Sequence, residues 1–295
     1  MASLLRTMIF VPGFKTSFLE KARSFESDAI ILDLEDSVPH ALKQQARLNV
    51  KEYLNSYDCK RKIFIRLNSI DSGLLSKDLE IAMHPNVYGF MPSMIKDELD
   101  LIYIDRLLTQ LEFDNGFQIG TFKLCPLIET GSAVLKSYEI AKSSSRLVGL
   151  AFGAEDYLTD LDGLHKKTGA SILTARSMIV MAARSLKIEA IDTPYLDIYD
   201  VDGFANDVKL SRELGFSGRL ILHPGQIEIS NRIFTPDKDE VCEAQRIIAA
   251  IESSCMRGEG VTLIDGKLVG PPMEKRARKV LQKWKSIVEE HRDVE

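Results

Sequence analysis

The feature that most constrains this chain is an alternation. Short runs of Ile, Val, Leu and Phe recur eight times, at Met8–Val11, Ala29–Leu34, Lys62–Leu67, Val87–Met91, Thr121–Ile128, Leu147–Phe152, Ile188–Ile191 and Arg219–Leu222. Longer amphipathic stretches fill most intervals, clearest at Ser17–Glu26, Ala41–Leu54, Glu98–Leu111 and Ser171–Leu186. Continuous apolar runs read as strands buried on both faces, and strands separated by helices run parallel. Eight such units over roughly 220 residues predict an α/β fold of the TIM (β/α)8 barrel type, typically about 250 residues. A doubly wound sheet would be the alternative, but no G-x-G-x-x-G loop follows the first run.

The barrel is expected to occupy residues 1–225. From 226 to 295 the pattern changes to a C-terminal helical and β-hairpin appendage, packing on the barrel or on a neighbouring subunit. Asp237–Met256 reads as a helix, Asp265-Gly266 between two β-like runs as a hairpin turn, and the stretch after Pro272 as a basic helix. Lys275, Arg276, Arg278, Lys279, Lys283 and Lys285 read as a solvated face of that helix.

Composition excludes several classes. The 38 basic and 43 acidic residues leave a net charge of -5, which gives no electrostatic footprint for nucleic acid. Cys59, Cys125, Cys242 and Cys255 are scattered without a C-x-x-C pair, as expected for reduced thiols in a cytoplasmic protein. No apolar run is long enough to span a membrane, and the N-terminal apolar run enters a Pro-Gly turn without a cleavage site.

In a barrel of this kind chemistry belongs at the C-terminal ends of the strands. The second run ends in Asp33, Glu35 and Asp36, the third at Arg66, the fifth at Glu129, and the sixth leads into Glu155 and Asp156. Carboxylates crowded at one mouth raise one another's pKa, and a divalent cation relieves the repulsion; hard oxygen donors suit Mg2+. Arg66 offers a planar fork to a substrate carboxylate, or could simply pair with an acid at the mouth. Asp36 and Asp156 also suit helix starts, whereas Glu129 is a poor cap. His223, before Pro224, reads as structural.

The stretches FVPG (Phe10–Gly13), ILDLEDSV (Ile31–Val38), IRLN (Ile65–Asn68), LIETG (Leu127–Gly131), FGAEDY (Phe152–Tyr157), GFSGRLILHPGQI (Gly215–Ile227) and DGKLVGPP (Asp265–Pro272) occur in this order. With them the chain resembles the citrate lyase β-subunit family of the HpcH/HpaI aldolase and citrate lyase group, over nearly its whole length. The resemblance implies a TIM barrel assembled as a homotrimer or a dimer of trimers. It implies cleavage or formation of carbon–carbon bonds in β-hydroxyacyl thioesters such as citryl, malyl or citramalyl derivatives, carried by coenzyme A or an acyl carrier, with a 2-oxo acid as the other partner. It implies Mg2+ on Glu129 and Asp156, an oxo-acid carboxylate on Arg66, and Glu35 and Asp36 lining the pocket as catalytic groups. Gly153, Ala154 and Glu155 would lie beside the bound oxo acid.

Two departures stand out. Many relatives carry an Asp after the C-terminal hairpin, which reaches a neighbouring subunit's pocket and supplies an acid or base; here Gly270 holds that place. Relatives often have Pro-Arg before the first helix, where this chain has Phe14-Lys15. The proton role would then fall to Glu35, Asp36 or a water. Alternatives are a metal-dependent aldolase acting on a free hydroxy-oxo acid, or a catalytically weak subunit of a complex.

Overall fold

The computed structural model describes residues 4–56, 61–256, 258 and 260–292, and the chain divides into two compact units, Met1–Asn231 and Arg232–Glu295. In the first unit one parallel sheet contains β1 (Thr7–Pro12), β2 (Ala29–Asp33), β3 (Lys62–Leu67), β4 (Gly89–Pro92), β5 (Lys123–Leu124), β6 (Leu127–Ile128), β7 (Gly149–Phe152), β8 (Glu189–Asp192) and β9 (Gly218–Ile221). Their order is β5-β4-β3-β2-β1-β9-β8-β7-β6. The two end strands of that order, β5 and β6, are consecutive pieces of a single run of chain.

Pro126 accounts for the break between them, because it has no N–H to give to a ladder. Below it, Leu124 is in register with Phe90 of β4, and Cys125 N–H donates to the Phe90 carbonyl at 3.0 Å. Above it, the Pro126 carbonyl accepts from Ala151 N–H at 3.0 Å, and Leu127 is in register with Ala151 of β7. The expected strand Thr121–Ile128 is thus two short strands, and the run already bonds both neighbours at Leu124, which is in register with Phe90 while its N–H donates to the Arg146 carbonyl at 3.0 Å and its carbonyl accepts from Val148 N–H at 3.0 Å.

Met8, Ala29, Ile31, Phe64, Met91, Cys125, Leu127, Ala151, Ile191 and Leu220 form one buried cluster. Every strand run contributes to it, so the sheet curls around it. Strands such as β2, β7 and β9 are buried at every position, as a sheet covered on both faces requires. Helices such as Lys43–Ser56, Glu98–Asp114, Leu173–Ser185 and Val201–Leu214 lie between the strands. Asp97 starts the second of these by accepting from Leu99 N–H at 3.0 Å. The first helix runs Thr16–Ala22, shorter than the expected Ser17–Glu26. It unwinds where the Ser24 hydroxyl donates to the Lys21 carbonyl at 2.8 Å, in competition with the helical ladder.

The second unit holds helix Lys238–Met256, an antiparallel hairpin of β10 (Thr262–Ile264) and β11 (Lys267–Val269), and helix Pro271–Arg292. Asp265 (φ +49) and Gly266 (φ +75) are both left-handed, as a type I′ turn demands. Lys275, Arg276, Arg278, Lys279 and Lys285 are exposed on the last helix, and Lys283 is half-buried. Cys125 is buried, Cys242 and Cys255 are exposed, and all three are free thiols; Cys59 lies outside the described residues. Among the described residues no helix is long and apolar enough to cross a membrane.

Candidate active site

Interior residues of a strand step by two. Continuing that step beyond the buried cluster leads from Ile31 to Asp33, from Phe64 to Arg66, from Leu127 to Glu129, from Ala151 to Gly153 and from Ile191 to Thr193. The same periodicity that fills the core therefore delivers a polar layer at the C-terminal mouth.

Asp33 and Arg66 are cross-strand partners in the β2–β3 register. Arg66 Nε and Nη2 donate to the two Asp33 carboxylate oxygens, each at 2.7 Å, and the guanidinium lies over the Phe10 ring at 4.8 Å. Asp33 is fully buried and also accepts from the Ser37 hydroxyl and from Glu35 N–H at 2.9 Å. Burial alone would push its carboxyl up, but the Arg66 charge and these hydrogen bonds outweigh it and hold it below the usual range. For Arg66 burial works against the charge, and Asp33, then Glu35 and Asp36, more than offset it, so the guanidinium stays protonated. Its outer nitrogen, Nη1, faces Glu35 Oε2 at 3.0 Å and Asp36 Oδ2 at 3.3 Å. Sequence reasoning put Glu35 and Asp36 here but gave Asp33 no separate role; the structure makes Asp33 the anchor that occupies one full edge of the arginine fork.

Lys43 supports the same loop from below, with Nζ donating to the carbonyls of Leu34 at 2.7 Å and Glu35 at 2.8 Å. Burial raises the Glu35 carboxyl to about 7, with Asp36 adding repulsion and Arg66 pulling the other way.

Glu129 directly follows β6 and is 3% exposed. Met94 N–H, on a left-handed residue (φ +52) in the loop after β4, donates to Glu129 Oε1. Burial raises the Glu129 carboxyl to about 8; the Met94 bond and Arg66 lower it, while Asp156 and Glu35 repel its charge. Gly153 makes room for this side chain. A Cβ there would meet Glu129 Oε2 at 2.6 Å and Glu129 Cβ at 2.8 Å.

Asp156 lies in the first turn of helix Ala154–Asp160. Burial, then Asp36 and Glu155, raise its carboxyl, while Arg66 lowers it. The helix is tied at both ends: Ala154 N–H donates to Thr193 Oγ1 at 3.1 Å, and Asp160 Oδ2 accepts from Gly131 N–H at 2.7 Å. Glu155 sits one residue round the helix, and its carboxylate pairs with His165. Gly153 and Ala154 N–H are engaged by Ile128 and Thr193, so any contact these two residues make to a ligand would come from another face. His223 caps the turn Pro224–Gln226, its Nδ1 accepting from Gly225 N–H at 3.2 Å.

Glu129 and Asp156 thus feel each other's charge, and Arg66, Glu35 and Asp36 belong to the same field. Among the described residues no three His, Cys, Asp or Glu side chains gather into a ready-made metal cage. Two carboxylates, one of them buried with no ion pair among the described residues, fit Mg2+, which keeps waters and substrate oxygens in its shell. Asp33 was read from sequence as a strand-end acid but not as the partner of Arg66, and Lys43, Met94 and Thr193 were not singled out by sequence reasoning. Of these last three, Thr193 had a usable signal, its step of two from the apolar Ile191.

A family model described as HpcH/HpaI aldolase/citrate lyase matches residues 6–224. The chain is 34% identical over 280 residues to the citrate lyase subunit beta of Leuconostoc mesenteroides subsp. cremoris, covering 95% of this chain and 93% of that one. It is 30% identical over 283 residues to a (3S)-malyl-CoA thioesterase of Cereibacter sphaeroides, covering 96% and 95%. Among solved structures it is similar to the protein CitE of Mycobacterium tuberculosis in complex with magnesium, acetoacetate and coenzyme A, with a TM-score of 0.78, 26% identity, and 94% and 97% coverage. The citrate lyase beta subunit of the same organism, complexed with oxaloacetate and magnesium, gives a TM-score of 0.67 at 26% identity, covering 79% of this chain and 99% of that one. Matched by that family model over residues 6–224 and by the curated relatives along almost its whole length, the chain belongs to the HpcH/HpaI aldolase/citrate lyase family.

Proposed function

We propose that this chain is a Mg2+-dependent carbon–carbon lyase that splits a β-hydroxyacyl thioester, of the citramalyl, malyl or citryl kind, into an acetyl thioester and a 2-oxo acid. The observation that carries the reading is Glu129, a buried carboxylate held by the Met94 N–H and raised to about 8, at a mouth that also holds Asp156 and a pinned arginine. Solved relatives that hold magnesium with oxaloacetate, or with acetoacetate and coenzyme A, support it. The assembly we favour is a (β/α)8 barrel of residues 1–225 with residues 226–295 as an extension, forming a cytoplasmic homotrimer or hexamer.

Each residue has a task in this reading. Arg66 keeps one edge on Asp33, so a substrate carboxylate takes the Nη1 side and displaces the exposed Asp36 rather than the buried Asp33. Glu35, with its pKa about 7, exists in both protonation states near neutrality and suits proton transfer. It accepts the proton of the substrate hydroxyl as the carbon–carbon bond breaks and its electrons pass into the thioester enolate. The same proton then goes to the enolate carbon, so no hairpin acid at Gly270 is needed. Glu129 and Asp156 would hold Mg2+, which when bound supplies Lewis acidity to the oxygen of the 2-hydroxy or 2-oxo acid. Gly153 and Ala154 form the wall beside that acid, next to Glu155.

The test is a cleavage assay of the full chain with citramalyl-CoA, malyl-CoA and citryl-CoA, with and without chelator. Chelator-sensitive release of pyruvate, glyoxylate or oxaloacetate from wild type, abolished in Glu129→Ala and Asp156→Ala, is the expected result. Release of coenzyme A without carbon–carbon cleavage would move the chain to thioester hydrolysis. Full activity in either variant would sink the metal assignment.

A further inference from the structure

The helix that presents Asp156 begins without a cap of its own. Its N-cap position is Gly153, which has no side chain, and the first N–H groups of any helix lack intrahelical acceptors. The buried N–H of Ala154 instead finds the hydroxyl of Thr193, which follows β8, at 3.1 Å. Thr193 is 2% exposed, and its own N–H donates to Asp192 Oδ1 at 2.8 Å.

Asp192 is in turn clamped from the helix side of the sheet. It is out of phase with the interior residues Ile191 and Thr193, and it is completely buried. Arg176 Nε donates to its Oδ1 at 3.1 Å, Arg176 Nη2 lies 3.0 Å from Oδ2, and the Ser211 hydroxyl donates to Oδ2. Arg219 Nη1 donates to Ser211 Oγ at 2.9 Å, and both arginines pair with Asp207. A network of two buried arginines, the buried Asp192 and the half-buried Asp207 thus fixes Thr193, and Thr193 fixes the first residue of the helix two positions before Asp156. A threonine held so firmly, spending its hydroxyl on a neighbouring helix start, acts on the mouth rather than on packing alone.

We propose that Thr193 is a positioning residue for the metal site: its hydroxyl sets the start of helix Ala154–Asp160 and so the approach of the Asp156 carboxylate to Mg2+. The proposal rests on the reading of Asp156 as a metal ligand. Outer groups that orient metal ligands commonly change metal affinity about 10–100-fold when lost.

The test compares wild type, Thr193→Val, Thr193→Ser and Asp156→Ala as full chains. Mg2+ binding is measured by titration calorimetry, and exchange of the Ala154 amide by hydrogen exchange in metal-free protein. Thr193→Val is expected to weaken Mg2+ binding about tenfold or more and to speed Ala154 exchange, while Thr193→Ser restores both. Wild-type Mg2+ affinity in Thr193→Val, or failure of Thr193→Ser to restore it, overturns the proposal. Absence of Mg2+ binding by wild type, or its persistence in Asp156→Ala, would defeat the metal reading separately. Ala154 exchange would then decide whether Thr193 holds the helix start, unchanged exchange overturning it. Should Thr193→Val fail to fold, Thr193→Ala against Thr193→Ser gives the same comparison.

Discussion

Glu35 and Glu129 open onto one mouth, yet their surroundings differ. Glu35 is tied to Arg66 and half-buried; Glu129 is enclosed and hydrogen-bonded to a backbone N–H. With its pKa about 7, Glu35 should give a pH–rate limb near neutrality. Glu35→Gln is expected to remove that limb and lower kcat about a hundredfold while leaving Mg2+ affinity near wild type, read from a pH profile of kcat/KM and a metal titration. Gly153→Ala should act the other way. Its methyl would collide with Glu129, costing roughly 1–3 kcal/mol of stability and weakening Mg2+ binding, measurable by thermal unfolding and titration. The strand-end rule points to Arg66, Glu129 and Asp156 from sequence alone, and the structure brings their charges into one field. It does not say which acid faces the arginine, because that depends on register, and register made it Asp33. Glu155 and Asp156 are indistinguishable neighbours in sequence; a step of about 100° round the helix sends one to His165 and the other toward the field of Asp36 and Arg66. Met94 was invisible because a backbone N–H has no residue signature.

Among elements, buried strands were legible because a sheet covered on both faces leaves long uninterrupted apolar runs. The helices Gly131–Leu135 and Ser137–Lys142 were not, since one or two turns carry no readable period. The break at Pro126 was legible in principle, from the missing N–H, but only the paired neighbours show that the run bonds the β4 side and the β7 side at once. The hairpin turn could be read from Asp265-Gly266 because two left-handed residues in succession demand that chemistry. Just beyond it, the Gly270 carbonyl accepts from Met273 N–H at 3.0 Å and Glu274 N–H at 3.2 Å, the place of an N-cap. A Cβ there would meet only Val261 Cγ1, at 3.2 Å. Gly270→Asp should therefore fold normally and change stability by no more than about 0.5 kcal/mol. With Glu35 carrying the proton, turnover should also be unchanged; thermal unfolding and the cleavage assay check both.

For the molecule as a whole, the raised carboxyls set the pH response. Glu129 keeps its proton in the folded state up to about 8 and loses it near its ordinary value of 4.5 when unfolded. Between those values the native state binds more protons, so its contribution is present at low pH and is lost as pH rises through the folded value; Glu35 acts likewise up to about 7. Metal-free protein should accordingly melt lower at about pH 8.5 than at about pH 5.5, and Mg2+ should raise the midpoint more at the higher pH, as read by thermal scans with and without chelator. The order of the strands has a further consequence during synthesis. Glu35, Arg66, Glu129 and Asp156 have all left the ribosome well before β9, yet β1 gains its second neighbour only when Thr7 meets Arg219. At about 5–20 residues per second, the nascent chain carries its full set of reactive groups for several seconds before the sheet that must hold them is complete. Until the last strand emerges, a crowd of acids is exposed with nothing yet to make it selective.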